Sequence, residues 1–457
     1  MTIADQLTLL ASTKTAIKQA IEDKGVTVGT VPFADYPTKI AVISSGSTPS
    51  PAPWVRPADW LPLPTVTETD QKFVGLHAVY PDANFVALSA AGDYTVDWGD
   101  GVVENFASST VAQHEYNYDT YDVGGTTLCS RGYKQAVVTV TPQAGQSLTF
   151  LNLHQRHSAL AVQYSSGFLD IALASASLTD LRIGVQTPGS SAQTIRFADL
   201  ERVNIVRSSV ADFSYLFNNC YSLQAVVSIS TDVVSNVNMS YMFSGCYSLT
   251  SVPMFDTSSV TSMSGMFTNC HSLTIVPMFD TSSVTSMSGM FNGCYSLTIV
   301  PLFDTSSVTS MSGMFYNCYS LTSVPLFDTT AVTNMSNTFR SCASLTSVPL
   351  FDTTAVTNMD YMFTNCYSLT IVPLLDTAAV TNMSGMFNGC TSLAKVSMTG
   401  MKVSFSVANC KLSAARLNEI YSNLATVTGQ TINVTGNYGT ATDDPTIATA
   451  KGWTVTG

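Results

Sequence analysis

Two residue types that can do chemistry recur at a fixed interval through the C-terminal half of this 457-residue chain. Cysteine stands at positions 220, 246, 270, 294, 318, 342, 366, 390 and 410, and aspartate at 232, 256, 280, 304, 328, 352 and 376. Regularly spaced thiols point to zinc, cross-links or burial, and spaced carboxylates to acid–base catalysis or calcium. Each chemistry makes a demand that can be checked. Zinc sites draw on CxxC pairs, and one thiol per interval supplies none. Disulfides between neighbouring copies are within reach, but side chains leaving the backbone in parallel rarely meet the S–S dihedral. Burial as small apolar side chains is the simplest role for the thiols. A catalytic carboxylate pair needs two environments to separate acid from base. Here the same aspartate recurs in one context, and no glutamate occurs between Glu201 and Glu419. Turn capping is the expected role of the aspartates, with an occasional calcium between copies as the alternative. No nucleophile, base and orienting group come together in the sequence, so neither enzymatic activity nor a cofactor is expected.

Positions that vary between near-identical copies are free to serve recognition. One residue after each cysteine the chain carries Tyr221, Tyr247, His271, Tyr295, Tyr319, Ala343, Tyr367 and Thr391; two residues before it, Tyr316 and Arg340 stand out. A ladder of such rings could stack on sugars, anchor a protein, or seal the rim of its own domain. The candidate recognition surface is therefore Tyr221, Tyr247, His271, Tyr295, Tyr316, Tyr319, Arg340 and Tyr367. Arg340 is the only lysine or arginine between Val210 and Ala394, so this surface suits a neutral glycan or a complementary protein better than a polyanion. The whole chain carries a formal charge of −12, with 11% charged and 45% hydrophobic residues. Without a basic cluster, nucleic acid is not an expected partner.

What positions these columns is an internal repeat. Cysteine spacings of 26, then 24 six times, then 20 mark the copies, and a representative one runs Cys294-Tyr-Ser-Leu-Thr-Ile-Val-Pro-Leu-Phe-Asp-Thr-Ser-Ser-Val-Thr-Ser-Met-Ser-Gly-Met-Phe-Tyr-Asn317. A period of this size belongs to solenoids, in which each unit hides its apolar face only by stacking on neighbours. Apolar Leu297, Val300 and Leu302 predict a short strand over 297–303, stacked in a parallel sheet. Asp304-Thr305-Ser306 predicts a turn and helix N-cap. Val308, Met311, Met314 and Phe315 then predict one apolar face on a short helical or 3₁₀ segment. Asn317, replaced by Gly245, Gly293 and Gly389 in other copies, suits a left-handed backbone. The Met263 and Phe243 columns are core. Eight rungs at about 4.8 Å each would make a rod roughly 40 Å long.

The unit resembles the BspA-like leucine-rich repeat family of bacterial and phage surface proteins. Its Met-Phe-x-x-Cys element, as in Tyr241-Met242-Phe243-Ser244-Gly245-Cys246, and its Asp-Thr-x-x-Val-Thr element carry the likeness over about residues 210–410. Thr338 in place of methionine, and the longer stretch between Cys220 and Asp232, depart from it. The resemblance implies an adhesive or recognition rod displayed on a surface.

Upstream the composition changes. Residues 46–70, with Pro49, Pro51, Pro53, Pro57, Pro62 and Pro64 in and around them, predict an extended linker or strap. In residues 71–145 the Gly99-Asp100-Gly101 stretch after Trp98 permits a tight turn between alternating strands. With His114-Glu115-Tyr116 and the alternating run 133–141, this region resembles the PKD-type β-sandwich. Asp97 and Asp100 are expected to form turns, and Cys129 and His77 carry no motif. Residues 146–410 are the solenoid, its coils degenerate to about 215. Residues 411–457 form a cap, with helical periodicity from Leu412 to Leu424; the stretch 447–455 is similar to the closing segment of phage tail proteins bearing these repeats.

Residues 1–45 place Ile3, Leu7, Leu10, Lys14, Ile17 and Ile21 on a heptad seam broken by the lysine. That seam fits an amphipathic helix packed on its own chain, a small trimeric bundle, or a helix docked on a larger assembly. The segment around Tyr36, Val31-Pro32-Phe33-Ala34-Asp35-Tyr36-Pro37, resembles the N-terminal attachment segment of phage tail fibre and tail-tip proteins. The attachment residues are thus Ile3, Leu7, Leu10, Ile17, Ile21 and Tyr36. No apolar run reaches about 18 residues and the N-terminus is acidic, so neither a membrane helix nor a signal peptide is expected.

The expected fold is mainly β with short helices: an N-terminal helix, a PKD-like β-sandwich, a leucine-rich-repeat solenoid of 24-residue coils, and a C-terminal cap. The expected function is that of a phage virion structural protein, a tail fibre that binds a host receptor without catalysis. Capsid or tail decoration and bacterial surface adhesion are the alternatives. Its partners would be other virion proteins through the N-terminus, a host-surface glycan or protein, and further copies of itself, a trimer being one form. It would be assembled in host cytoplasm and reside in the virion tail.

Overall fold

A computed structural model describes residues 54–121, 128–155, 157–158, 167–184, 199–233 and 235–457. All of these but Trp54 and Val55 belong to one unit, Arg56–Gly457. The expected helical segment 1–45, with Ile3, Leu7, Leu10, Ile17, Ile21 and Tyr36, and the start of the Pro-rich linker lie outside the described residues.

After the Pro-rich stretch come β1 (Lys72–Val79) and β2 (Phe85–Ala91), both near-continuous buried runs, then β3 (Tyr94–Asp97), β4 (Val103–Phe106), β5 (Val111–Glu115) and β6 (Lys134–Pro142). They are followed by β7 (Phe150–Asn152), β8 (Phe168–Ala174), β9 (Asp180–Arg182), β10 (Arg202–Arg207) and β11 (Ala225–Ile229). One sheet has the order β11-β10-β8-β1-β6-β3-β4 and the other β5-β2-β7-β9. Both sheets begin antiparallel and end parallel. β1 pairs antiparallel with β6 and with β8, and from β8 the ladder runs parallel through β10 to β11. In the second sheet β2 pairs antiparallel with β5 and β7, and β7 then pairs parallel with β9. The two-sheet region therefore passes into the repeats without a break, across the border expected at 145. An open sheet edge would leave a row of backbone groups unpaired, and the first coils cover it. One apolar core runs on from Phe73 and Trp98 to Trp453.

Part of the expected linker is a strap on this sheet. Trp60 is buried and donates its indole N–H to the Tyr133 hydroxyl at 3.0 Å. Gln135 on β6 accepts from Leu61 N–H at 3.0 Å and donates to Asp59 O at 2.9 Å. Arg56 of the strap and Arg202 of β10 both reach the fully buried Asp170 of β8, at 2.8 and 2.7 Å. That clamp ties strap, sandwich and first coils together.

In the array two sequence expectations are corrected. Residues 297–303 form no regular strand, because Pro301 and its counterparts Pro253, Pro277, Pro325 and Pro349 have no N–H to give to a ladder. Among the described residues, paired strands in this column occur at its ends, β10 with β11 and Ile371–Asp376 with Lys395–Thr399, and the second pair shifts register around Pro373. Residues 308–317 form no helix: Gly313 and Asn317 both have φ of 61°, and a left-handed residue ends an α-helix. The coils are joined by parallel bridges linking Ser262, Ser286, Ser310, Asn334, Asn358 and Asn382 in turn. Amides also bond one coil ahead: Gly289 N–H to Ser312 O at 2.8 Å, Phe291 N–H to Met314 O at 2.9 Å, and Gly293 N–H to Tyr316 O at 2.7 Å.

The helices among the described residues are α1 (Ala414–Asn423) and α2 (Thr446–Thr449). α1 buries Leu417, Ile420 and Tyr421, as its periodicity predicts. Strands Phe405–Ser406, Gln430–Asn433 and Trp453–Thr456 pair in parallel, so the stacking continues past residue 410 into the cap.

Candidate functional site

The cysteine column is buried and its thiols are free. From Cys246 to Cys390 each thiol of the column donates to the carbonyl of the phenylalanine three residues before the preceding cysteine; Cys294 to Phe267 O, Cys318 to Phe291 O and Cys342 to Phe315 O are all at 3.1 Å. The column thus bolts coil to coil as well as filling space. Burial pushes these thiols up, Cys366 to about 12, so they stay protonated and unreactive.

The aspartates cap turns. Oδ1 of Asp304 accepts the Ser306 N–H at 3.0 Å and its hydroxyl at 2.7 Å, and Asp256, Asp280, Asp328 and Asp352 do the same for the residue two positions on. The bonds from Ser258 hold the Asp256 carboxyl below the usual range, as those from Thr330 and Thr354 do for Asp328 and Asp352. Among the described residues no three His, Cys, Asp or Glu side chains gather as a metal site. Asp232 departs from the series and pairs with Arg207 at 2.8 Å.

The aromatic column is a continuous stack. Centroids are 4.7 Å apart from Tyr221 to Tyr247, 4.5 Å from Tyr247 to His271, 4.3 Å from His271 to Tyr295 and 4.9 Å from Tyr295 to Tyr319. The interplanar angles are 22° or less. Tyr247, Tyr295, Tyr319 and Tyr367 are exposed. Partial burial lowers the His271 pKa, which favours the neutral ring. Tyr316 and Arg340 come together next to this ladder: the guanidinium lies over the Tyr316 ring at 5.2 Å and the Tyr361 ring at 5.1 Å. It also donates to Asn337 Oδ1 at 3.1 Å.

Tyr361 was missed from sequence because its column, Tyr215, Tyr241, Gly265, Gly289, Gly313, Asn337, Tyr361 and Gly385, mixes three rings with glycines and an asparagine and is the second left-handed position of the coil. The signal was there in the glycines. Tyr241 lies where a Cβ on Gly265 would collide with it, and Tyr361 covers Gly385 in the same way.

The motif of the two-sheet region is a structural latch. β3 and β4 pair as a hairpin from Tyr94↔Phe106 to Asp97↔Val103. Asp97 accepts Gly99 N–H and Asp100 accepts Val102 N–H, both at 3.0 Å, so both form turns as expected. His114 bonds Asp100 at 2.7 Å and stacks on Trp98 at 5.0 Å, while the Tyr116 hydroxyl donates to Trp98 O at 2.8 Å.

A solenoid with inert thiols, capped turns and an exposed ring ladder defines a repeat protein built for contact. The family described as "Mycoplasma protein of unknown function, DUF285" matches it in three overlapping stretches, residues 190–300, 238–346 and 298–399. The match falls on the array and supports its BspA-like leucine-rich-repeat character. Among solved structures, a leucine-rich repeat protein from Eubacterium ventriosum is 17% identical, with a TM-score of 0.30 over 49% of this chain and 75% of that one. A leucine-rich repeat protein of T. pallidum is 18% identical, with a TM-score of 0.20 over 52% of this chain and 91% of that one. No curated protein matches the chain.

Proposed function

We propose that the chain is a non-catalytic adhesion protein of a phage tail, a tail fibre or receptor-binding protein that meets the host surface with the flank of its repeat array. Arrays of this type serve surface adhesion or protein–protein interaction. The observation that carries the reading is the stack from Tyr221 to Tyr319, with Tyr247, Tyr295 and Tyr319 exposed, held at fixed spacing by coil-to-coil backbone bonds. Rigid aromatic faces with polar tips bind sugar rings and protein loops at little entropic cost. In this reading the PKD-like two-sheet region is a spacer, the N-terminal segment with Ile3, Leu7, Leu10, Ile17, Ile21 and Tyr36 attaches to other virion proteins, and copies assemble as a homo-oligomer in host cytoplasm.

A second reading rests on a different flank. Met254, Leu302, Leu326, Leu350 and Leu374 are exposed in one apolar column whose remaining member, Met278, is half-buried, and such a stripe fits a protein neighbour, as in capsid or tail decoration or a bacterial surface adhesin. The two are separated by incubating the purified protein with candidate host cells. A receptor-binding protein adsorbs and competes with phage for attachment; a decoration protein does neither and binds purified virions instead.

A further inference from the structure

The ring ladder misses one ring. Ala343 stands where the coil before carries Tyr319 and the coil after carries Tyr367. The backbone keeps its rung there. Ala343 N–H donates to Ser341 O at 3.0 Å, as Tyr319 N–H does to Asn317 O at 2.9 Å. The coils on either side bond through Ser344 N–H to Tyr319 O at 3.1 Å and Ser368 N–H to Ala343 O at 3.2 Å. With coils at regular spacing, two ladder intervals put the Tyr319 and Tyr367 rings about 9 Å apart, room for one further ring in contact with both. Tyr319 is 44% and Tyr367 50% exposed, against 40% for Tyr247 and 37% for Tyr295, each of which has a ring on both sides.

The coil that lacks the ring is also the one that carries Arg340, the sole lysine or arginine between Val210 and Ala394. Tyr316 and Tyr361 sandwich its guanidinium, and no ion pair among the described residues involves it. A cation held between two rings without a counter-ion is ready for an anion. An aromatic side chain entering from a protein would bring apolar neighbours, yet the residues following the column are the half-buried Ser320, Ser344 and Ser368, whose hydroxyls suit sugar hydroxyls.

We propose that the Ala343 rung is a single-ring slot for a carboxylated pyranose, which stacks between Tyr319 and Tyr367 with its carboxylate turned toward Arg340. The inference rests on the adhesive reading and names its ligand class.

The test is calorimetric titration of the full chain with methyl β-glucuronide and methyl N-acetylneuraminide, with methyl β-glucoside as the neutral counterpart. At least one carboxylated sugar is expected to bind about tenfold more tightly than the glucoside. Ala343→Tyr, which completes the ladder with the residue its neighbours carry, is expected to lose that binding at unchanged melting temperature. Arg340→Gln is expected to bring the acid sugar down to the level of the glucoside. Equal binding by Ala343→Tyr, or no preference for either acid sugar, overturns the slot. Adsorption of the same preparation to host cells separates the two ideas: adsorption without acid-sugar binding sinks the slot alone, and acid-sugar binding without adsorption sinks the tail-adhesion role alone.

Discussion

At the scale of single residues, chemistry-capable side chains turn out to be used for their shape and hydrogen bonds. The thiol and carboxylate columns were legible in sequence as burial and turn capping, because one residue type in one context has no means of separating acid from base. The thiol's bond to a phenylalanine carbonyl one coil back was not legible, since it depends on which backbone atom the stacking brings opposite it. Histidines show the same emphasis. His77 is buried on β1, accepts the Gly167 N–H at 3.2 Å on Nε2, and lies against Phe168 and Tyr116. Burial holds its pKa down to about 3, against 6.5 when unfolded. Between those values the unfolded chain takes up a proton that the folded chain refuses. Stability is therefore expected to fall as pH drops through this window, by about 1.4 kcal/mol per pH unit for this group. Urea unfolding at pH 7, 6, 5 and 4 should show a shallower decline in His77→Gln than in the wild type; identical slopes would mean that the imidazole titrates normally in the fold.

At the scale of the element, the coil is a chain of turns, and the sequence misled where turn and helix share a spacing. Val308, Met311, Met314 and Phe315 face one way in either conformation, so periodicity could not choose between them, whereas Gly313 and Asn317 could. The residue before each cysteine alternates Asn219, Gly245, Asn269, Gly293, Asn317, Ser341, Asn365 and Gly389, all left-handed. At three of these positions glycine has a steric cause: a Cβ on Gly245, Gly293 or Gly389 would meet the Oδ1 of the asparagine one coil back, whereas Ser341 carries its Cβ in the coil after Asn317. Gly293→Ala combines this collision with left-handed strain, and about 2 kcal/mol or more of destabilisation is expected. In an Asn269→Gly background the same change should cost only about 1 kcal/mol. A thermal-denaturation double-mutant cycle reads the coupling, and strictly additive effects would contradict it.

At the scale of the whole molecule, the two-sheet region acts as the N-terminal cap of the solenoid. Its hairpin was legible from Trp98-Gly99-Asp100-Gly101, but the fusion was not, because β1 and β8 are distant in sequence and their pairing leaves no local pattern. The buried Asp170 between Arg56 and Arg202 was equally silent. Residues 71–145 expressed alone should lack a cooperative unfolding transition, having lost β8 and the clamp, while 56–457 should keep one; an independently folded 71–145 fragment would restore the border that the continuous sheet crosses. The same continuity makes the array a stiff scaffold for its aromatic flank. Adhesion through that flank is tested most directly by measuring adsorption to host cells of the wild type and of a variant carrying Tyr247→Ala, Tyr295→Ala and Tyr319→Ala, exposed rings whose loss leaves the core intact. Adsorption is expected to drop by about tenfold or more at an unchanged circular-dichroism spectrum; undiminished adsorption of the variant would contradict the role given to the ladder.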